Sequence, residues 1–391
     1  MYKPSNRLEN LPPYIFSSLG SHIRSFAAAG NDIIRLDIGS PDGMPPPNVI
    51  DALTNSARQP HTHGYSSYNG IPEFRRAVSH YYAQRFGVSL NPDTQVLPLL
   101  GSKEGLVNLC LAYLNEGDTV LVPDIAYPAY SRGAMLAGAV VQWLPLIDEN
   151  QFLPDVKAIP LDVAKRAKLM WINYPNNPTG AVADKDFYQS VVDYCREHQI
   201  LLASDNPYFD LTFDGFRAGS VLEAEGANEC CIEFMSFSKT YNMGGWRLGA
   251  AVGNSEVLKL LLQMKSNLDT GHFVAIYQAG IAALEYTSEA WAVERNQNYE
   301  RRRDMIMDTL PHIGLSAQKP YASMYVWAKA NDGNGQGYAQ SALENTFVSV
   351  TPGYAFGPGG EQYVRFSLGI TDDRLDVALR RLKEWYPGYR V

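Results

Sequence analysis

Short apolar runs and helical periods alternate along most of this chain. From about residue 94, TQVLPLL, DTVLVPD, AVVQWLPL, AKLMWIN, ILLASD, CIEFMSF and RLGAAVG are nearly continuous in apolar residues. Strands covered on both faces must be of that kind. Between them, residues 103–114, 185–198 and 255–265 carry helix-like spacing. The alternation predicts an α/β fold, with a mostly parallel seven-stranded sheet sandwiched by helices and ligands beyond the carboxyl ends of its strands. Residues 274 to about 310 read as one long helix or two in tandem, leading into a smaller α+β domain. There ASMYVWAKA and QYVRFSLG alternate like strands, and 371–385 closes as a helix. Residues 1–45 mix turn signals with an amphipathic stretch at 14–29 and end in LDIGSPDGMPPP, an arm and a loop. The expected organisation is an arm and small-domain segment over 1–45, a large domain over 46–285 and a small C-terminal domain over 286–391. No internal repeat or low-complexity tract interrupts it.

Composition narrows the partners. The 391 residues suffice for a large buried core plus a second domain. A net charge of -8 argues against nucleic acid or an anionic membrane as a partner. Cys110, Cys195, Cys230 and Cys231 show no CxxC pairing and no His at zinc-ligand spacing, so no metal centre is expected. A bridge between the adjacent Cys230 and Cys231 would be strained, and reduced, buried thiols are the expectation. With no apolar signal run in MYKPSNRLENLPPY and no stretch long enough to span a bilayer, a cytoplasmic location is expected.

The chemistry concentrates in a few strand-end loops. In EFMSFSKTYNMGGWRLGAAVG, Lys239 follows an apolar strand, with Ser236 and Ser238 before it and Arg247 beyond. Desolvation penalises an ammonium there and favours an amine nucleophile, while hydroxyls and a guanidinium suit a phosphate. A lysine after a strand is more commonly solvated, so this segment alone decides nothing. In ILLASDNPY, Asp205 ends an apolar strand where ligands bind; it would hold a protonated ring nitrogen, or else cap the following turn. NYPNNPTG presents the Asn177 amide to a ligand on a rigid turn, the alternative being a rigid loop whose Asn side chains satisfy one another. In LLGSKEGLVNL, Gly101 and Ser102 open a helix whose N-terminus suits an anion, the alternative being a simple N-cap by Ser102. Tyr127, after another strand end, would lay its ring on a flat ligand or merely pack.

Taken in order, YSSYNGIPEFR, GSKEG, VPDIAYP, NYPNNPTG, SDNPY, SFSKTYNMGGWRLG and YVRFSLG make the chain resemble, over nearly its whole length, the class I/II aminotransferases of fold type I. The resemblance implies pyridoxal 5'-phosphate (PLP) as cofactor and Lys239 as its Schiff-base lysine, which also shuttles the proton at the substrate α-carbon. It implies Asp205 as the ring-nitrogen partner, Asn177 and Tyr208 on the phenolic oxygen, and Tyr127 stacked on the ring. Ser102, Lys103, Ser236, Ser238 and Arg247 match the phosphate cup. Tyr65 resembles the tyrosine that reaches the phosphate of a neighbouring subunit, which implies a homodimer with shared active sites. Arg365, in VRFSLG, matches the clamp on the substrate α-carboxylate, and Gly39 and Asn177 lie beside the substrate.

The implied activity is transfer of an amino group from an L-amino acid to a 2-oxo acid by a ping-pong mechanism. The same lysine and aspartate would serve a carbon–sulfur β-lyase, and a non-catalytic PLP-binding protein is the reading from another class. In SNLDTGHFVAIYQ, where aspartate-specific members carry a second arginine, this chain has none, and Arg24 is an alternative for a distal carboxylate. GSKEG and SNLDTG lean toward the branch of LL-diaminopimelate, alanine and broad-range aminotransferases.

Overall fold

The computed structural model of the chain describes residues 2–389. All seven apolar runs form strands: β2 (Val96–Leu99), β3 (Thr119–Pro123), β4 (Val140–Leu144), β5 (Ala167–Ile172), β6 (Leu201–Asp205), β7 (Cys231–Ser236) and β8 (Gly249–Gly253). They build one sheet in the order β2-β8-β7-β6-β5-β3-β4, in which β8 alone runs antiparallel to its neighbours. Both faces are covered, and successive residues serve opposite cores. Leu169 and Trp171 join the cluster with helices Ser102–Tyr113 and Ser255–Ser266. Met170 and Ile172 join the one with helices Pro72–Phe86, Lys185–Glu197 and Val274–Tyr286. This two-sided burial is why the strands read as unbroken apolar runs rather than alternating ones. β4 differs from the expectation, since it is the edge strand and leaves Val140 57% exposed.

The stretch after 274 is two helices, Val274–Tyr286 and Glu289–Thr309, broken at Thr287 and restarted by the Ser288 side chain, which caps Trp291 N–H. Beyond it lies a second, four-stranded sheet, β12-β13-β10-β9, formed by β9 (Leu315–Ser316), β10 (Tyr325–Ala330), β12 (Thr351–Pro352) and β13 (Tyr363–Ser367). The N-terminal β1 (Ile34–Arg35) pairs in parallel with β11 (Val348–Ser349). Ile34 and Leu36 thereby share a core with Val326, Phe366 and Leu379 of the C-terminal part. Helix Ile15–Ala28 follows the predicted amphipathic stretch. All four cysteines are free, and Cys230 is half-buried rather than buried. Among the described residues, no helix is long and apolar enough to cross a membrane.

Candidate active site

The carboxyl ends of the parallel strands open into a cavity of about 440 Å³, a size suited to a small ligand. Gly39, Ser102, Lys103, Tyr127, Asn177, Asp205, Tyr208, Ser236, Ser238, Lys239, Arg247 and Arg365, scattered over more than 300 positions, all line it. Tyr65 does not; it is 93% exposed on the outer surface. Arg24 also lies outside, exposed and bonded to Ser21 Oγ, so it offers no second cation to the cavity.

Asp205 ends β6 and is 4% exposed. Its Oδ2 accepts a hydrogen bond from the Tyr130 hydroxyl at 2.7 Å, while Oδ1 has no partner. Burial pushes its pKa up to about 7 despite that bond. A buried acceptor left unpaired is costly, so the geometry asks for a donor at this spot, and a protonated ring nitrogen is of the right kind.

One strand over, β7 ends at Ser236, whose hydroxyl accepts from Ser238 N–H at 3.2 Å and starts the single-turn helix Phe237–Thr240. That turn carries Lys239 into the cavity, where its Nζ donates to the Gly39 carbonyl. Burial lowers the lysine pKa and so favours the neutral, nucleophilic amine; Arg365 and Arg247 push the same way.

On the opposite side, Gly101 and not Ser102 caps helix Ser102–Tyr113, so Ser102 is its first helical residue and its hydroxyl is not spent on the cap. Gly101 sits at φ +80°, and a Cβ there would overlap the Arg247 guanidinium. Arg247 is itself held left-handed at φ 57°, with Nη1 donating to the Gly244 carbonyl at 2.8 Å. The helix N-terminus, Ser102, Ser236, Ser238 and Arg247 thus form an anion cradle suited to a phosphate. Lys103 lies to the side, with Nζ 3.3 Å from the Tyr14 hydroxyl and over the Tyr14 ring at 4.5 Å; no carboxylate among the described residues pairs with it.

Arg365, on β13, is 3% exposed and likewise lacks a carboxylate partner among the described residues. Its fork donates to Asn177 Oδ1 and to the Asp37 carbonyl, each at 2.9 Å, and its Nε is unpartnered. The rings of Tyr325 and Phe356 hold it at 4.1 and 4.7 Å. A buried guanidinium with neutral partners is a site for a carboxylate. Asn177 is fixed in turn by its own N–H, which donates to Asn173 Oδ1 at 2.8 Å, in a loop with cis bonds before Pro175 and Pro178.

Three cavity residues escape the sequence reading. Tyr130 orients Asp205, and Asn173 donates to the Asp205 carbonyl at 2.6 Å. Tyr325, read only as part of a strand, bonds the Tyr208 hydroxyl at 3.1 Å under Arg365. Tyr130 has a local signal in its nearness to Tyr127 in VPDIAYPAY, and Asn173 in its place at the start of NYPNNPTG, whereas Tyr325 depends on partners far away in the chain.

Comparisons with known proteins give the family and the fold. The family model described as aminotransferase class I and II matches residues 31–382. An LL-diaminopimelate aminotransferase of Dehalococcoides mccartyi is 45% identical over 97% of this chain and 98% of its own. That of Moorella thermoacetica is 45% identical over 97% of both chains. Among solved structures, substrate-bound BacF from Bacillus subtilis superposes with a TM-score of 0.95 at 34% identity, covering 99% of this chain and 98% of that one. Aspartate aminotransferase from Thermus thermophilus with maleate gives 0.91 at 29% identity, covering 98% of this chain and 100% of that one.

Proposed function

The chain belongs to the class I and II aminotransferases and is a PLP-dependent enzyme; on that premise we propose the residue roles and the substrate class that follow. The observation that carries them is the cavity itself, where a desolvated lysine, an unpaired buried Asp205 oxygen and an Arg365 without a counter-ion face one another. The cofactor, when bound, supplies an electron sink for the bond broken at the substrate α-carbon. Lys239 would hold it covalently, and its amine would move the proton at that carbon. Asp205 keeps the ring nitrogen protonated, Tyr127 covers the ring, and Asn177 and Tyr208 bond its phenolic oxygen. Ser102, Ser236, Ser238 and Arg247 hold the phosphate. Arg365 would clamp the α-carboxylate in a bidentate fork and so orient the substrate α-carbon. Gly39 borders the substrate, and its small size leaves room for the Tyr325 hydroxyl.

The amino donor we propose is an L-amino acid with a charged distal end, of the diaminopimelate kind. Support comes from the names of the relatives and from Lys103, a cation on the cavity wall with no acidic partner among the described residues. Lys103 then serves the distal carboxylate in preference to the phosphate. We further propose a homodimer, in which the exposed Tyr65 completes the partner's cradle. The large domain is assigned to 46–285, and the small one to 286–391 with the arm, an assignment supported by the separate core that Ile34 and Leu36 share with the C-terminal sheet. A cytoplasmic location is consistent with four free thiols.

A half-reaction screen tests this. LL-diaminopimelate is expected to discharge the visible band of the holoenzyme, and a 2-oxo acid to restore it, more readily than alanine or aspartate does. Ammonia and pyruvate released from cysteine, with no band discharged by any donor, would sink it in favour of a lyase.

A further inference from the structure

Tyr325 lies where two systems of the site meet, and nothing in the family roles above uses it. Its ring is the platform under the Arg365 guanidinium, 4.1 Å away, and its hydroxyl is 3.1 Å from that of Tyr208. Both tyrosines are buried, at 2% and 3% exposure. The hydroxyl also fills the space beside Gly39, whose carbonyl accepts from Lys239 Nζ. A tyrosine hydroxyl has a single hydrogen. If Tyr208 aims its own at the cofactor, the hydrogen between the two tyrosines belongs to Tyr325, and each bond strengthens the other.

We propose that Tyr325 is a positioning residue that couples occupancy of the carboxylate clamp at Arg365 to the hydrogen bond that Tyr208 gives the cofactor's phenolic oxygen, and so to the proton affinity at Lys239. The inference rests on the assignment of Lys239, Tyr208 and Arg365 made above. It adds a second route to the direct Arg365–Asn177 bond of 2.9 Å, which links the same clamp to the same oxygen from the other side.

The charges around the phenol support it. Arg365, and Lys239 whenever its nitrogen is protonated, face it as cations, Tyr208 bonds it, and Tyr127 and Tyr299 are the other titratable groups that feel it. Burial raises the Tyr325 pKa, while the positive charges at Lys239 and Arg365 pull it down. A carboxylate bound at Arg365 cancels one of those cations. The phenol then holds its proton more tightly and donates it less strongly to Tyr208, and the proton affinity at Lys239 rises.

The test is a spectrophotometric pH titration of the visible band of the holoenzyme, with and without saturating propionate, a carboxylate that cannot react. In the wild-type protein propionate is expected to raise the midpoint. Tyr325→Phe keeps the ring under Arg365 and deletes the hydroxyl. It is expected to raise the propionate-free midpoint by about half a unit or more, to shrink the propionate response, and to lower kcat about tenfold with KM nearly unchanged. Tyr208→Phe should raise the midpoint as well, and the double variant should match Tyr208→Phe alone, because the two hydroxyls act in series. An unchanged midpoint and propionate response in Tyr325→Phe, or additive shifts in the double variant, would overturn the coupling while leaving the site assignment intact. A wild-type protein without a titrating visible band, or a Lys239→Ala protein that keeps it, would refute the site assignment and this inference with it.

Discussion

Replacing Asp205 with Asn separates what the fold bears from what the cofactor needs. In the cofactor-free protein this carboxyl is buried and half-satisfied, and its pKa rises from 3.8 to about 7. The folded state therefore binds the proton more tightly than the unfolded chain, and stability falls as pH climbs from the unfolded value toward the folded one. Over the whole window the loss is about 4 kcal/mol, and between pH 5 and pH 8 about 2.5 kcal/mol. The amide introduced by Asp205→Asn cannot ionise, so the variant apoprotein should lack this component. Urea unfolding of both apoproteins at pH 5 and pH 8 measures it. Glu104, raised to about 7, contributes to both profiles and cancels in the difference, whereas the Glu233 charge itself helps raise Asp205 and so belongs to the difference. At pH 8 the variant is expected to be the more stable apoprotein. Cofactor affinity moves the other way, because the ring nitrogen loses its buried counter-charge, a loss of about 3 kcal/mol or a hundredfold or more in Kd. Parallel pH profiles for the two apoproteins, together with an unchanged cofactor Kd, would refute the reasoning on both counts.

Arg365→Lys keeps the charge but not the fork, and should raise KM for every amino donor about ten- to a hundredfold while cofactor affinity stays constant; steady-state kinetics with a cofactor titration decides it. Gly101→Ala places a side chain at φ +80° against the Arg247 guanidinium and should cost the apoprotein about 1–3 kcal/mol, along with at least a tenfold loss in PLP affinity, read by urea unfolding and absorbance titration. Lys103→Ala should raise KM for LL-diaminopimelate about tenfold or more and leave alanine turnover near its wild-type rate; equal effects on both donors would return Lys103 to the phosphate.

How much of this is legible in the residues depends on where the determining partner sits. The strands of the large sheet are readable because burial on two faces writes itself locally, as the alternation of Leu169 and Trp171 with Met170 and Ile172 between two cores makes plain. β4 misleads, since an apolar edge strand has the same local signature as a covered one, and only its neighbours decide which it is. The cap at Gly101 is hidden for a related reason. Serine is the stronger capping type in general, but the approach of Arg247 demands a residue without a Cβ one position earlier.

The site divides along the same line. Lys239 and Asp205 follow apolar strands that end in one sheet, so their convergence is implied once the sheet is. Arg365 and Tyr325 come from β13 and β10, which pair so that Arg365 lies opposite Trp327 and Tyr325 opposite Ser367. That register offsets the two residues by two positions, and the guanidinium nonetheless settles 4.1 Å over the tyrosine ring, a diagonal contact that no local pattern in YVWAKA or YVRFS encodes. The clamp is visible through its resemblance to a motif and its platform is not, although the platform's hydroxyl reaches Tyr208 on the loop after β6. Lys239 and Asp205 are placed by strand ends of the large sheet, whereas Arg365 and Tyr325 are placed by how the second sheet docks on the first. Of the latter pair Tyr325 carries the link to Tyr208, so a change at its hydroxyl should appear in the proton affinity at Lys239 and scarcely in the capture of the α-carboxylate.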